Sequence, residues 1–426
     1  MFDSTMLVMG GTIGGGIFVN SYVVAEQVHT PALVLGAWIA GGVIALTGAL
    51  IYAEIANRLP RVGGQYAYLR ESYHPLIAFL YGWVLLLVIQ TGGMAVVTSI
   101  FSSYFIELTG WHAPEWLVGV ITLTLFTIAN CLGVKSGSNV QSALMMLKIV
   151  AIALLVFAGI LLVRGPHLQF RPLIGQPIST SLLSSFGAAM VPVLFAYGGW
   201  QTGCFVAGEM KKPEQDLPRA LILGVIGVAV LYTSVNLIYL RALGVSSLAQ
   251  THTPASAVMR NAMGNAGATI IALGIALSTL GFLSQSVLTA PRVYFAMAED
   301  GVFFRQLAWV HPRTKVPVLA IIVQSVWTVV ILLSGRYKQI LNYVTSMDWI
   351  FFGLSASCLF VLRHRDPKAA KVRMPGHPLT TGLFCLACWA VAGNTIYRYP
   401  RDTLFGLAIL ASGIPLYYIW KRISRA

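Results

Sequence analysis

Twelve apolar stretches, each long enough to cross a bilayer, follow one another along this 426-residue chain with only short loops between them. They run at about 6–28, 31–56, 73–106, 115–134, 138–163, 180–208, 218–242, 258–297, 317–336, 338–363, 379–398 and 402–420, and are called spans one to twelve. One crossing takes about 20 apolar residues, so little chain is left over for a soluble domain. That excludes a receptor ectodomain or an appended ATPase. Backbone in lipid must bond its own polar groups, which makes the spans helical. Composition agrees, because only 10% of residues are charged against roughly 25% in soluble proteins. The expected fold class is an all-α integral membrane protein of 12 transmembrane helices. Spans three and eight exceed one crossing and are expected to tilt steeply or to continue as helix beyond the bilayer.

The net charge of +14 reflects loops that face an anionic leaflet rather than nucleic acid, since the basic residues sit between spans. With the N-terminus inside, cytoplasmic loops hold nineteen of the 28 Lys and Arg, external loops hold eight, and Lys148 is left over. Both termini are then cytoplasmic, in a multi-pass protein of the cell (inner or plasma) membrane. Met1-Phe2-Asp3-Ser4 lacks the basic start of a signal peptide, so span one reads as retained. All five cysteines lie inside or at the ends of apolar stretches, which argues against a disulfide framework. The Cys385-x-x-Cys388 pair has no nearby His or further Cys to make a metal site.

Lys148 lies about ten residues into span five, roughly 15 Å deep. A charge there costs about 2.5–3.5 kcal/mol. Two readings stand: a lysine packed on carbonyls for structure alone, or a cation that fills an ion site or exchanges a proton. The strongest local signal is Gly10-Gly11-Thr12-Ile13-Gly14-Gly15-Gly16-Ile17-Phe18 in span one. Glycine disfavours helix by roughly 1 kcal/mol per residue. Gly14, Gly15 and Gly16 point three ways, so one-sided helix packing does not account for them and unwinding does. A second interruption falls in span six at Phe195-Ala196-Tyr197-Gly198-Gly199-Trp200, just after Pro192. Matching breaks in two halves are the mark of secondary transporters that bind substrate at mid-depth. Helix N-termini offer N–H groups to a carboxylate, and broken C-terminal ends offer carbonyls to an ammonium. An amino acid is the simplest molecule with both.

Other chemistries find no support. There is no G-x-x-x-x-G-K-[ST] phosphate loop, no G-x-S-x-G and no H-E-x-x-H motif. The eight histidines fall in loops or at span ends, which disfavours an intramembrane relay. No catalytic residue, metal ligand or cofactor is expected, and the chain does not read as an enzyme.

At these residues the chain resembles the amino acid–polyamine–organocation (APC) transporter superfamily and is most similar to bacterial relatives of the L-type amino acid transporters. Besides both breaks, the matching motifs are Leu59-Pro60-Arg61-Val62-Gly63-Gly64-Gln65-Tyr66-Ala67-Tyr68, Glu209-Met210-Lys211-Lys212-Pro213 with Leu217-Pro218-Arg219-Ala220, Arg292 to Ala298 with Asp300-Gly301, and Leu341-Asn342-Tyr343-Val344. The resemblance implies a LeuT-type 5+5 inverted repeat with broken helices 1 and 6. Repeat one would cover about 6–163, repeat two about 180–363, and peripheral helices 11 and 12 about 379–420, in one transporter domain. It implies that backbone of Ile13, Gly14, Gly15 and Gly16 holds the α-carboxylate. Carbonyls near Ile13, Phe195, Ala196 and Gly198, around Tyr197, would hold the amino group. It further implies that Lys148 stands where sodium sits in sodium-coupled relatives. Tyr232 and Asn236 would link substrate to that region, Ser284 would contribute from span eight, and Trp200 would act in the gate.

The chain also departs from the family pattern. The basic stretch that usually precedes the Phe2-Asp3 region is missing, which leaves a truncated or misassigned start open, and Gly15 replaces the serine of G-S-G. Residues 107–114 lack the cysteine by which heteromeric members bind a heavy subunit, so no disulfide-linked partner is expected. The expected partners are an amino acid and the lipid bilayer. Glu54 and Glu209 fit ordinary ion pairs with Arg58 or Lys212, and Asp348 in span ten is a candidate for coupling. With no acidic residue near the proposed site to pair with a cationic side chain, a neutral substrate is preferred to a cationic one. The leading expectation is a sodium-independent exchanger of neutral L-amino acids working by alternating access. The alternatives are a proton-coupled uptake permease with Lys148 titrating and, more remotely, a non-transporting sensor or a channel.

Overall fold

The computed structural model describes residues 1–61, 63–132, 137–163, 170, 173–174, 179–210, 212–334, 337–367 and 370–423, and these form helices joined by short turns, with no strand among them. The side chains of residues 137–144, 208, 209 and 423 are outside the description. Of the sequence features above, Val62, Lys211 and the Glu209 side chain fall outside it. So do the loop residues Lys135, Arg164, Arg171, Arg336, Lys368 and Arg425. Eight helices are long and apolar enough to cross a membrane, and the pair Phe2–Thr12 and Gly16–Val28, bent by 41°, makes a ninth crossing. The shorter apolar helices Glu115–Cys131, Met145–Leu161 and Val318–Ser334 coincide with spans four, five and nine. All twelve stretches are therefore helical, as hydropathy predicts.

Local chemistry sets where the helices begin. Proline opens Pro31–Arg58, Pro75–Val84, Pro213–Gln250, Pro254–Thr289 and Pro400–Ile423, at a position where its missing N–H has no helical acceptor anyway. Thr30 Oγ1 accepts from Leu33 N at 3.3 Å, and Ser179 Oγ accepts from Leu182 N at 3.3 Å, capping spans two and six.

The long stretches behave differently from one another. Span three is continuous helix over Pro75–Thr109 with a π-turn at Leu85–Ile89. Span eight is not one steeply tilted rod. It bends at Gly264, whose φ of 66° lies outside the helical region, and a separate short helix follows at Pro291–Glu299. The excess length is absorbed by breaks.

Both halves of span one pack against spans six, seven and eight, while span seven also lies along span two and span eight along spans three and five. Leu125, Phe157, Val326, Leu386 and Leu404 are exposed on the outer faces, as lipid-facing positions should be. At the end that carries both termini, buried Glu54 accepts from Arg58 at 2.8 Å and from Arg363 at 2.6 Å, and also from Met374 N–H at 2.7 Å. This ties span two to span ten. Tyr66 donates to Asp300 at 2.7 Å at the same end.

Candidate functional site

Span one leaves helical geometry at Ile13, with φ −77° and ψ 90°, and resumes at Gly16. Gly14 N–H turns back to Thr12 O at 2.9 Å. The N–H groups of Gly15, Gly16 and Ile17 have no acceptor among the described residues, as expected at the first turn of a helix. Glycine at 15 is also a packing requirement, because a Cβ there would lie 2.7 Å from Ile100 Cδ1.

Span six is helical through Tyr197, and the break follows at Gly198 and Gly199 before a 3₁₀ segment, Trp200–Glu209. Gly199 has φ +99°, and a Cβ on it would lie 2.0 Å from Gly11 O. The two breaks thus touch through backbone that only glycine allows. The carbonyls of Tyr197 and Gly198 accept no hydrogen bond among the described residues. Bare donors on one break and bare acceptors on the other are presented side by side.

Between them lies a cavity of about 60 Å³. Gly14, Gly15, Gly16, Gly198 and Gly199 supply its main-chain wall. Val97, Phe195, Ala196, Phe282 and Val344 supply apolar wall. Gln90, Gln201, Thr202, Gln285, Thr289 and Asp348 make a polar side. By chain direction those polar residues lie toward the end that carries the termini.

The remaining proposed residues act around the cavity rather than on it. Lys148 is 1% exposed, and its Nζ donates to Ile13 O at 2.7 Å and to Gly10 O at 3.2 Å. Ile13 O therefore already accepts from the lysine, and Ile13 does not line the cavity. Tyr232 Oη lies 3.1 Å from Thr12 O and 3.2 Å from Ala196 O, within donating distance of both broken helices. Asn236 Nδ2 donates to Tyr232 O at 2.9 Å. Tyr197 packs its ring against Tyr232 and Trp38, with centroids 5.1 and 6.0 Å away. Trp200 is buried, stacked on Phe352 at 5.3 Å and edge-on to Tyr52 at 4.9 Å, just beyond the break. Ser284 is not on the wall, whereas its neighbours Phe282, Gln285, Ser286 and Thr289 are.

One expectation needs correction. The preference for a neutral substrate rested partly on finding no acid at the site, yet Asp348 lines the cavity. Span ten turns that face inward, and a methyl placed on Gly198 would lie 3.8 Å from Asp348 Oδ2. Sequence reading also passed over Gln90, Gln201, Thr202 and Gln285. Among the described residues no group of three or more His, Cys, Asp or Glu is placed to hold a metal ion, and all five cysteines are free.

Comparison with known proteins shows the family. A family model described as amino acid permease matches residues 1–410. The serine/threonine exchanger SteT of Bacillus subtilis (strain 168) is 32% identical over 98% of this chain and 95% of its own length. The human cystine/glutamate transporter is 28% identical over 98% of this chain and 85% of its own. Human large neutral amino acids transporter small subunit 2 is 29% identical over 97% and 78%.

Proposed function

This chain belongs to the amino acid permease family and transports amino acids across a membrane, and we propose that it is a sodium-independent exchanger of small neutral L-amino acids working by alternating access. The observation that carries the proposal is the facing pair of bare main-chain groups. Gly15 and Gly16 offer N–H to an α-carboxylate, and Gly198 offers its carbonyl to an α-ammonium. Helix termini favour those charges.

Size supports a small substrate. One water needs about 10–15 Å³ of such space, so a cavity of about 60 Å³ holds a few water-sized groups. Alanine and serine are of that scale, whereas arginine is not. Lys148 supports independence from sodium, because its ammonium already sits on the carbonyls that a metal cation would need. The relative named as a serine/threonine exchanger supports exchange. In this reading the two repeats meet at the cavity, Trp200 seals it toward the termini, and the termini face the cytoplasm. Tyr232 makes the two breaks move together. No disulfide-linked subunit is required.

A second reading, proton-coupled uptake, draws on Lys148 and Asp348 as ionisable groups at membrane depth. Counterflow in proteoliposomes separates the two. Exchange requires labelled amino acid to enter only against internal amino acid. Net uptake driven by a pH gradient supports proton coupling, non-saturating flux supports a channel, and binding without flux supports a sensor.

A further inference from the structure

Asp348 is the only ionisable side chain lining the cavity among the described residues, and no hydrogen-bond or ion-pair partner is found for it there. A carboxylate at membrane depth is costly and normally pairs with something. The surroundings are rich in partners that it does not use. Gln90, Gln201, Thr202, Gln285 and Thr289 share its side of the cavity, but Thr202 donates to Gly199 O at 2.7 Å, Gln285 to Leu7 O at 2.8 Å, and Thr289 to Gln285 O at 3.0 Å. Lys148 is committed to span one. The protein has left this carboxylate as an acceptor for whatever enters.

We propose that Asp348 is a specificity-determining residue whose carboxylate accepts a hydrogen bond from a donor on the substrate's side chain, so that the preferred substrates are small hydroxyl-bearing amino acids. This rests on the transport reading above. With the α-carboxylate on Gly15 and Gly16, the α-ammonium goes to the free Gly198 carbonyl of the second break. A short side chain directed to the polar side then meets Asp348. The cavity of about 60 Å³ accommodates a short hydroxyl-bearing side chain.

The test compares serine with 2-aminobutyrate, which has a methyl in place of the hydroxyl, as competitors of labelled alanine uptake in proteoliposomes. A hydrogen bond to a charged acceptor predicts that serine competes roughly ten- to a hundredfold better on the wild type. In Asp348→Ala that advantage shrinks toward parity, whatever the absolute rate. Equal competition by the two molecules on the wild type overturns the proposal and does not depend on a variant that folds. An undiminished serine advantage in Asp348→Ala overturns it as well. So does an equal loss of both competitors, which would place the carboxylate on the α-ammonium. If the wild type takes up no amino acid at all, the failure is that of the transport reading itself and is recognised by the absent alanine signal.

Discussion

Replacing Lys148 by methionine separates a structural lysine from one that holds the transport machinery in order. Methionine keeps most of the buried stem and removes the ammonium. Burying that charge at span depth costs about 2.5–3.5 kcal/mol. Its two carbonyl bonds, at 2.7 and 3.2 Å, return about 1.5–3 kcal/mol each. The difference leaves a net contribution to folding of roughly 0–3 kcal/mol. Lys148→Met is therefore expected to fold, with a modest drop in melting temperature. Function should suffer much more. Gly10 and Ile13 flank the first break, and without the ammonium their carbonyls no longer fix its geometry. A displacement of about 1 Å at a positioned site costs about a hundredfold in rate where geometry is limiting. The assay is alanine counterflow per unit of reconstituted protein, alongside fluorescence-detected size exclusion after heating. Near wild-type counterflow from a monodisperse variant would refute the reasoning, and so would a variant that does not fold at all.

Further perturbations address other parts of the account. Tyr232→Phe removes the hydroxyl that reaches Thr12 O and Ala196 O; a loss of about 1–2 kcal/mol in stability and a roughly tenfold slower counterflow are expected, and an unchanged rate would show that the bridge is idle. Gly199→Ala puts a Cβ 2.0 Å from Gly11 O at a positive φ. Besides about 1–2 kcal/mol of backbone strain, it forces the two breaks apart, so little monodisperse protein should be recovered; an active, stable variant would mean that the breaks do not touch. Glu54→Gln leaves Arg58 and Arg363 without their buried anion. The expected cost is about 3–5 kcal/mol, read as a lower melting temperature, and a variant as stable as wild type would contradict the tie between spans two and ten.

The spans were legible because crossing lipid demands length and hydropathy, and both are linear properties of a sequence. The break at Ile13 to Gly15 was legible because three successive glycines disfavour helix, and Gly198-Gly199 after Pro192 marked the second, although the pairs Gly41-Gly42 and Gly92-Gly93 stay helical where they pack inside spans two and three. Facing is a different matter. Successive residues on a helix point about 100° apart, so a one-residue error moves a side chain off the wall. The resemblance points to Ser284 on span eight, where Phe282, Gln285 and Ser286 do the lining. In span three the π-turn at Leu85–Ile89 rotates everything after it, and hydropathy carries no trace of such a turn. Gln90, the first residue after that turn, lines the cavity. Asp348 was visible as an acid in span ten, but its inward face depends on how that helix packs beside Gly198. Lys148 stood out in sequence because its depth alone makes it expensive, and its carbonyl partners follow from the break it sits against.

The claim on which the rest depends is that one break receives the carboxylate and the other the ammonium of a single small molecule. Competition against labelled alanine by its two half-molecules tests this most directly, using propionate without the amine and ethylamine without the acid. The account predicts that neither competes measurably even at about a hundredfold excess over the alanine concentration that halves uptake, since losing either charge-assisted set leaves buried polar groups unpaired. Effective competition by either half-molecule would contradict it.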